Sequence, residues 1–181
     1  MPANAPTEPW YGFFKHLDSL LDHEVTLVCF GGFVVTQHYG LSRLTGDVDC
    51  LEAIPMGDLD YITEHAGLGS PLHNEHGVYL EYVGISNLPD SYNERLRPML
   101  RGVYKHVRLM AVDPYDLALS KLERNREVDR GDVEYLIQTL SLERQVFEQR
   151  YYEEMRPYLG RPEREDLTLR LWIEEFFSEA G

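Results

Sequence analysis

The apolar run Val25 to Phe30 ends in two adjacent glycines, Gly31 and Gly32, and Asp47-Val48-Asp49 follows after 14 further residues. A β-prone run that stops at glycines and leads into a short apolar segment reads as strand, turn and helix, with Gly40 as the helix terminator. Asp47 to Ile54, ended by Pro55, reads as a second strand. Aspartates two positions apart on a strand put both carboxylates on one face, within reach of a common ion. Two such charges are costly together unless a cation neutralises them. Magnesium suits them, because it takes hard oxygen ligands, is held by one or two carboxylates, and completes its shell with water and phosphate oxygens. Upstream, the missing side chains of Gly31 and Gly32 let backbone N–H groups approach a phosphate closely.

The rest of the pattern is mixed. Trp10, Phe13, Phe14, Leu17, Leu20 and Leu21 recur at helical spacing, which predicts an amphipathic helix from about 9 to 22. A helix near 57–66 and a loop rich in Gly, Pro, His and Asn lead to a third strand over Gly77–Ile85, and Ser91–Leu100 reads as a helix. Residues 103–112 read as a fourth strand, with Val103, Val107, Leu109 and Ala111 on one side and Tyr104, His106, Arg108 and Met110 on a wetter one. From Asp113, an N-cap followed by Pro114 at the first helical position, the chain reads as helical, with further helices near 132–140, 142–158 and 165–178. The expected fold is α+β: a small mixed sheet with helices mainly on one side over residues 1–112, and a helical C-terminal region over 113–181 packed on that core.

The spacing Gly31-Gly32, Gly40, Ser42, Arg43, Thr45 and Asp47-Val48-Asp49 resembles the signature of the DNA polymerase β-like nucleotidyltransferase superfamily. In its Arg-x-Thr-x-Asp-x-Asp form, Arg43 to Asp49, it is similar to the branch that contains AbiEii-type toxins of bacterial toxin–antitoxin systems and related uncharacterised families. The resemblance implies transfer of a nucleoside monophosphate from an NTP to a hydroxyl of an RNA, such as a tRNA end, or of a protein. It assigns Asp47 and Asp49 to Mg2+ or Mn2+, Gly31, Gly32, Arg43 and Thr45 to the nucleotide, and a third carboxylate to a later strand. Glu81, an acid between Leu80 and Tyr82, is the candidate for that carboxylate, ahead of Asp90 in a loop that reads as a helix start. Asp113 to Asp132 resembles the helical region of the same branch, which implies that Lys121 faces the phosphates. Glutamate in place of aspartate at the third position, and the long spacing from Gly32 to Asp47, depart from the superfamily pattern.

Charge constrains the partners. Lys and Arg number 17 against 31 Asp and Glu, a formal charge of −14, which argues against broad nucleic-acid binding through counterion release. Acidic residues crowd 143–179, which reads first as a solvated surface and second as a face whose repulsion a basic partner protein would relieve. The competing function is therefore a noncatalytic nucleotide- or partner-binding protein of the same fold. Cys29 and Cys50 sit among apolar neighbours and read as small hydrophobes rather than a disulfide. The leader MPANAPTEPW is no secretory signal, no membrane-spanning segment is expected, and the cytoplasm is the expected location. His73-Asn74-Glu75-His76 falls in an expected loop with no third ligand nearby, so it is not read as a zinc site. Tyr151, Tyr152 and Trp172 read as core or rim aromatics, and Arg124, Arg126 and Arg130 as a local basic cluster.

Overall fold

The computed structural model describes residues 6–84 and 86–177. The first five residues of the Pro-rich leader, and the expected element ends at Ile85 and Ser178, lie outside them. The chain divides into two compact units, Met1–Ile85 with Leu96–Val112, and Ser86–Arg95 with Asp113–Gly181.

The first unit contains α1 (Trp10–Leu20), β1 (Val25–Phe30), α2 (Gly31–Gln37), β2 (Asp47–Ile54), α3 (Leu59–Ala66), α4 (Pro71–His76), β3 (Tyr79–Tyr82), β4 (Arg97–Met99) and β5 (Val107–Ala111). The strands form one mixed sheet in the order β3-β2-β1-β5-β4, with β1–β2 and β4–β5 antiparallel and β2–β3 and β1–β5 parallel. β1 is central and almost wholly buried, as its continuous apolar run requires. α1 buries Trp10, Phe13, Phe14 and Leu17, one stripe at i, i+3, i+4 and i+7. Near its end Asp18 accepts hydrogen bonds from the backbone N–H groups of Lys105, His106 and Val107 at 3.1, 2.6 and 2.8 Å. Burial alone raises the pKa of this carboxyl, but the three donors outweigh it and hold Asp18 below the ordinary carboxylate range.

Three local expectations are corrected. Ser91–Leu100 is not a helix: a 3-10 turn at Tyr92–Arg95 gives way to β4, and Pro98 lacks the N–H a helix interior needs but is tolerated on an edge strand. The expected fourth strand begins only at Val107, after a turn in which Val103 N–H bonds Leu100 O, and Tyr104 is buried rather than on a wet face. The loop between α3 and β3 contains a helix. In α4 the Ser70 hydroxyl accepts from His73 N–H at 3.2 Å, Pro71 occupies the first turn, and Gly77 ends the helix at φ 72°.

The second unit consists of α5 (Pro114–Leu119), α6 (Glu127–Thr139), α7 (Arg144–Arg150), a π-helical turn over Tyr151–Met155, a 3-10 turn over Arg156–Tyr158, and α8 (Glu163–Phe176). Asp113 caps α5 by accepting from Tyr115 N–H at 3.1 Å. Phe147, Tyr151 and Trp172 are fully buried, whereas Tyr152 is exposed. Segment 86–95 joins this unit through Arg95. Its guanidinium reaches Asp116 at 2.8 and 3.2 Å and Glu154 at 2.6 Å, a fork geometry that lysine could not reproduce. Among the described residues no helix is long and apolar enough to cross a membrane.

Candidate functional site

The parallel pairing of β2 with β3 places Asp49 opposite Glu81 and Asp47 opposite Tyr79. Along β2 the alternation puts Val48 and Cys50 in the core and leaves Asp47 and Asp49 half-buried on the other face. A carboxylate oxygen from each of Asp47, Asp49 and Glu81 lies within 4.8 Å of the other two. Glu81, the first candidate for a third acid, thus joins this pair within one unit; Asp90 belongs to the second unit, where its N–H bonds Glu154 O.

On the other side of β2, Phe30 is paired with Asp49, so the glycines that follow arrive at the same carboxylate. Gly31 adopts φ +68°, and a Cβ there would stand 1.9 Å from Asp49 Oδ2. Glycine is thus required twice at this position, by backbone conformation and by space. A Cβ on Gly32 would meet the Arg43 guanidinium at 2.7 Å and Thr45 Oγ1 at 3.2 Å. Thr45 donates to Asp47 Oδ1 at 3.1 Å, which fixes the orientation of that carboxylate. The motif residues Gly31, Gly32, Arg43, Thr45, Asp47, Asp49 and Glu81 are therefore one spatial cluster within the first unit.

The electrostatics agree with the geometry. The Tyr79 phenol is pushed above its ordinary pKa, first by burial and then by the negative charges of Asp47, Glu81 and Asp49. Three carboxylates at this separation repel one another, and a hard divalent cation relieves the repulsion while matching the all-oxygen donor set. The residues present therefore fit magnesium or manganese. An open cleft of about 600 Å³ adjoins the cluster, lined by Leu59, Asp60 and Thr63 of α3, by Gly67 and Leu68, and by β3 including Glu81. Sequence periodicity did not show this cleft, since it exists only through the packing of α3 against the edge strand.

The other singled-out residues have their own surroundings. Cys29 and Cys50 face each other across β1 and β2 as free, buried thiols; burial pushes Cys50 up to about 12 and Cys29 well above its ordinary value. Neither is poised to ligate a metal as thiolate. Lys121 belongs to the second unit and lies beyond the end of α5, in a turn rather than on the expected helix. Its ammonium is buried, 2.9 Å from Asp132 and 3.5 Å from Asp129. Arg124 pairs with the same Asp129.

A mixed sheet that gathers three carboxylates beside a Gly-Gly turn is the arrangement of a nucleotidyltransferase-like α+β core. The chain belongs to the family described as nucleotidyltransferase of unknown function (DUF6036), which it matches over residues 12–178. No curated protein and no solved structure matches it.

The glycine pair supplies a direct test of the geometry. Gly31→Ala is expected to cost about 1–3 kcal/mol from the left-handed backbone alone, with displacement of the Asp49 carboxylate in addition. Gly32→Ala meets only the flexible ends of Arg43 and Thr45 and should be milder. Denaturant unfolding together with manganese titration checks this; equal stability and equal metal affinity in Gly31→Ala would contradict the packing described.

Proposed function

We propose that the protein transfers a nucleoside monophosphate from an NTP to a hydroxyl of a tRNA end or a protein side chain, with Mg2+ or Mn2+ as cofactor, in the manner of the AbiEii-type branch. The observation that carries this reading is the convergence of Asp47, Asp49 and Glu81 beside Gly31-Gly32. In the reaction the acceptor oxygen attacks the α-phosphorus, the bond to the bridging β-phosphate oxygen breaks, and pyrophosphate leaves. When bound, the metal supplies neutralisation of phosphate charge and a lowered pKa for the acceptor hydroxyl.

The chain's own residues have separable roles in this scheme. Asp47 and Asp49 hold the cation, with Asp47 oriented by Thr45. Gly31 and Gly32 present backbone N–H groups to the phosphates without a side chain in the way. Arg43, beside Gly32, offsets triphosphate charge, and Glu81 completes the carboxylate set at the acceptor side, where the cleft along β3 gives access. Lys121, which the resemblance assigns to the phosphates, is held by Asp129 and Asp132 within the second unit.

Incubation with NTPs labelled at the α-phosphorus, in the presence of total tRNA or lysate protein, identifies the acceptor; label on either supports the reading. The formal charge of −14 favours one other reading, a noncatalytic member that binds a basic partner protein as half of a toxin–antitoxin pair. That reading predicts no label on any acceptor and tight association with the partner.

A further inference from the structure

We propose that His16, Glu75 and His76 form a second metal site, chemically distinct from the carboxylate cluster, that takes a borderline cation of the zinc class and clips α4 to α1. One ligand atom from each of the three residues lies within 4.8 Å of the others. His16 Nδ1 stands 3.1 Å from Glu75 Oε2, and His76 Nε2 stands 3.7 Å from Glu75 Oε1. Around a tetrahedral ion with Zn–N bonds of about 2.0–2.1 Å, neighbouring ligand atoms are roughly 3.4 Å apart. The two separations, each to a different oxygen of Glu75, lie on either side of that value, and a set whose ligand atoms are all within 4.8 Å of one another needs only side-chain rotation to close on one ion.

A second observation points to a ligand independently. His76 Nε2 is buried and has no hydrogen-bond partner. Buried polar atoms are almost always satisfied, and an exception calls for an explanation. An ion pair between His16 and Glu75 accounts for the 3.1 Å contact but leaves that nitrogen unsatisfied; a shared cation gives its lone pair a partner. The ring is also held in place. It meets the Phe13 ring edge-on at 6.1 Å between centroids and the His16 ring at 5.8 Å. It lies so close to Gly12 that a Cβ there would stand 3.1 Å from His76 Cε1. A glycine inside α1 costs helix stability and is accounted for here by the approach of the ring.

Two nitrogens and one carboxylate oxygen select differently from three carboxylates. Imidazole favours zinc, cobalt and similar ions, whereas magnesium prefers oxygen alone. His16 and Glu75 are 36% and 57% exposed, which gives an ion a path in and water a place in the fourth position. His73 takes no part: its Nδ1 accepts from Gly69 N–H at 2.9 Å and its ring packs on Tyr79.

The test uses the full-length chain, as wild type and with Asp47→Asn and Asp49→Asn combined to remove the carboxylate site. Cobalt(II) should give the intense visible absorption of a tetrahedral ion at one equivalent in both proteins, and zinc should raise the melting temperature of both by several degrees. His16→Gln and His76→Gln should each weaken cobalt binding by more than the roughly 10–100-fold that loss of an outer partner costs, and should abolish the zinc-induced shift. His16→Gln changes a partly exposed ring, so its fold is expected to survive and is checked by the melting curve without metal. Absence of the tetrahedral spectrum, its persistence in both histidine variants, or its loss in the Asp47/Asp49 variant would overturn the proposal.

Discussion

Asp49→Asn is expected to lower kcat/KM for nucleotidyl transfer by about a thousandfold while leaving the protein folded and at least as stable as the wild type. Asparagine keeps the size and one oxygen of the side chain, so the close packing against Gly31 survives. What disappears is the charge, and with it much of the hold on the cation. A metal ion contributes several kcal/mol of transition-state charge stabilisation; at 1.36 kcal/mol per decade, a loss of about 4 kcal/mol is a factor of ~10³. In the absence of metal the same change removes one of three mutually repelling carboxylates, so the melting temperature should hold or rise. Glu81→Gln should act on turnover more than on nucleotide affinity, by on the order of a hundredfold, since in the proposed scheme its carboxylate serves the acceptor side. Steady-state kinetics with melting curves check both. A variant that stays within tenfold of wild type would remove the carboxylate cluster from the chemistry.

The second large effect is on stability. Lys121→Met is expected to cost about 3–5 kcal/mol, because it removes the buried ammonium that Asp132 and Asp129 share, 2.9 and 3.5 Å away. The pair is not simply additive, since Arg124 and the Arg126 N–H also serve Asp129. Burial raises the Asp129 pKa, but these donors and the charges of Lys121 and Arg124 outweigh it, so the carboxyl titrates below its ordinary value. A depressed folded-state pKa contributes stability that is complete above the unfolded value of about 3.9 and is lost as pH falls through the folded value. Acid unfolding of the wild type should therefore show this loss, and Lys121→Met should flatten it. Urea unfolding at neutral and acid pH measures both; an unfolding free energy within about 1 kcal/mol of wild type would contradict the buried pairing.

The strand–glycine–Asp-x-Asp line was legible in the sequence because each step depends on neighbours a few residues away. Periodicity places Asp47 and Asp49 on one face, and the burial alternation of β2 reproduces it. Glu81 was readable as an acid in an apolar strand, but its place opposite Asp49 is a matter of register between strands distant in sequence. α4 escaped notice although its signals were present, with Ser70-Pro71 at the start and Gly77 at the end, because six residues are too few for a periodic apolar face. With 71–76 read as a loop, Glu75 and His76 had no third ligand nearby; the helix turns them toward His16, some sixty residues upstream in the chain. The surroundings of Lys121 were not legible either: α5 stops at Leu119, and the ammonium beyond it meets Asp129 and Asp132, partners eight and eleven residues further along the chain.

The most direct measurement of the central claim compares label position. The protein is incubated with Mn2+, acceptor RNA or protein, and NTP labelled either at the α- or at the γ-phosphorus. The account predicts covalent α-label on the acceptor, γ-label recovered only in pyrophosphate, and both signals lost together in Asp49→Asn. Label transferred from the γ-position, or α-label transfer undiminished in Asp49→Asn, would contradict nucleotidyl transfer at the Asp47, Asp49 and Glu81 site.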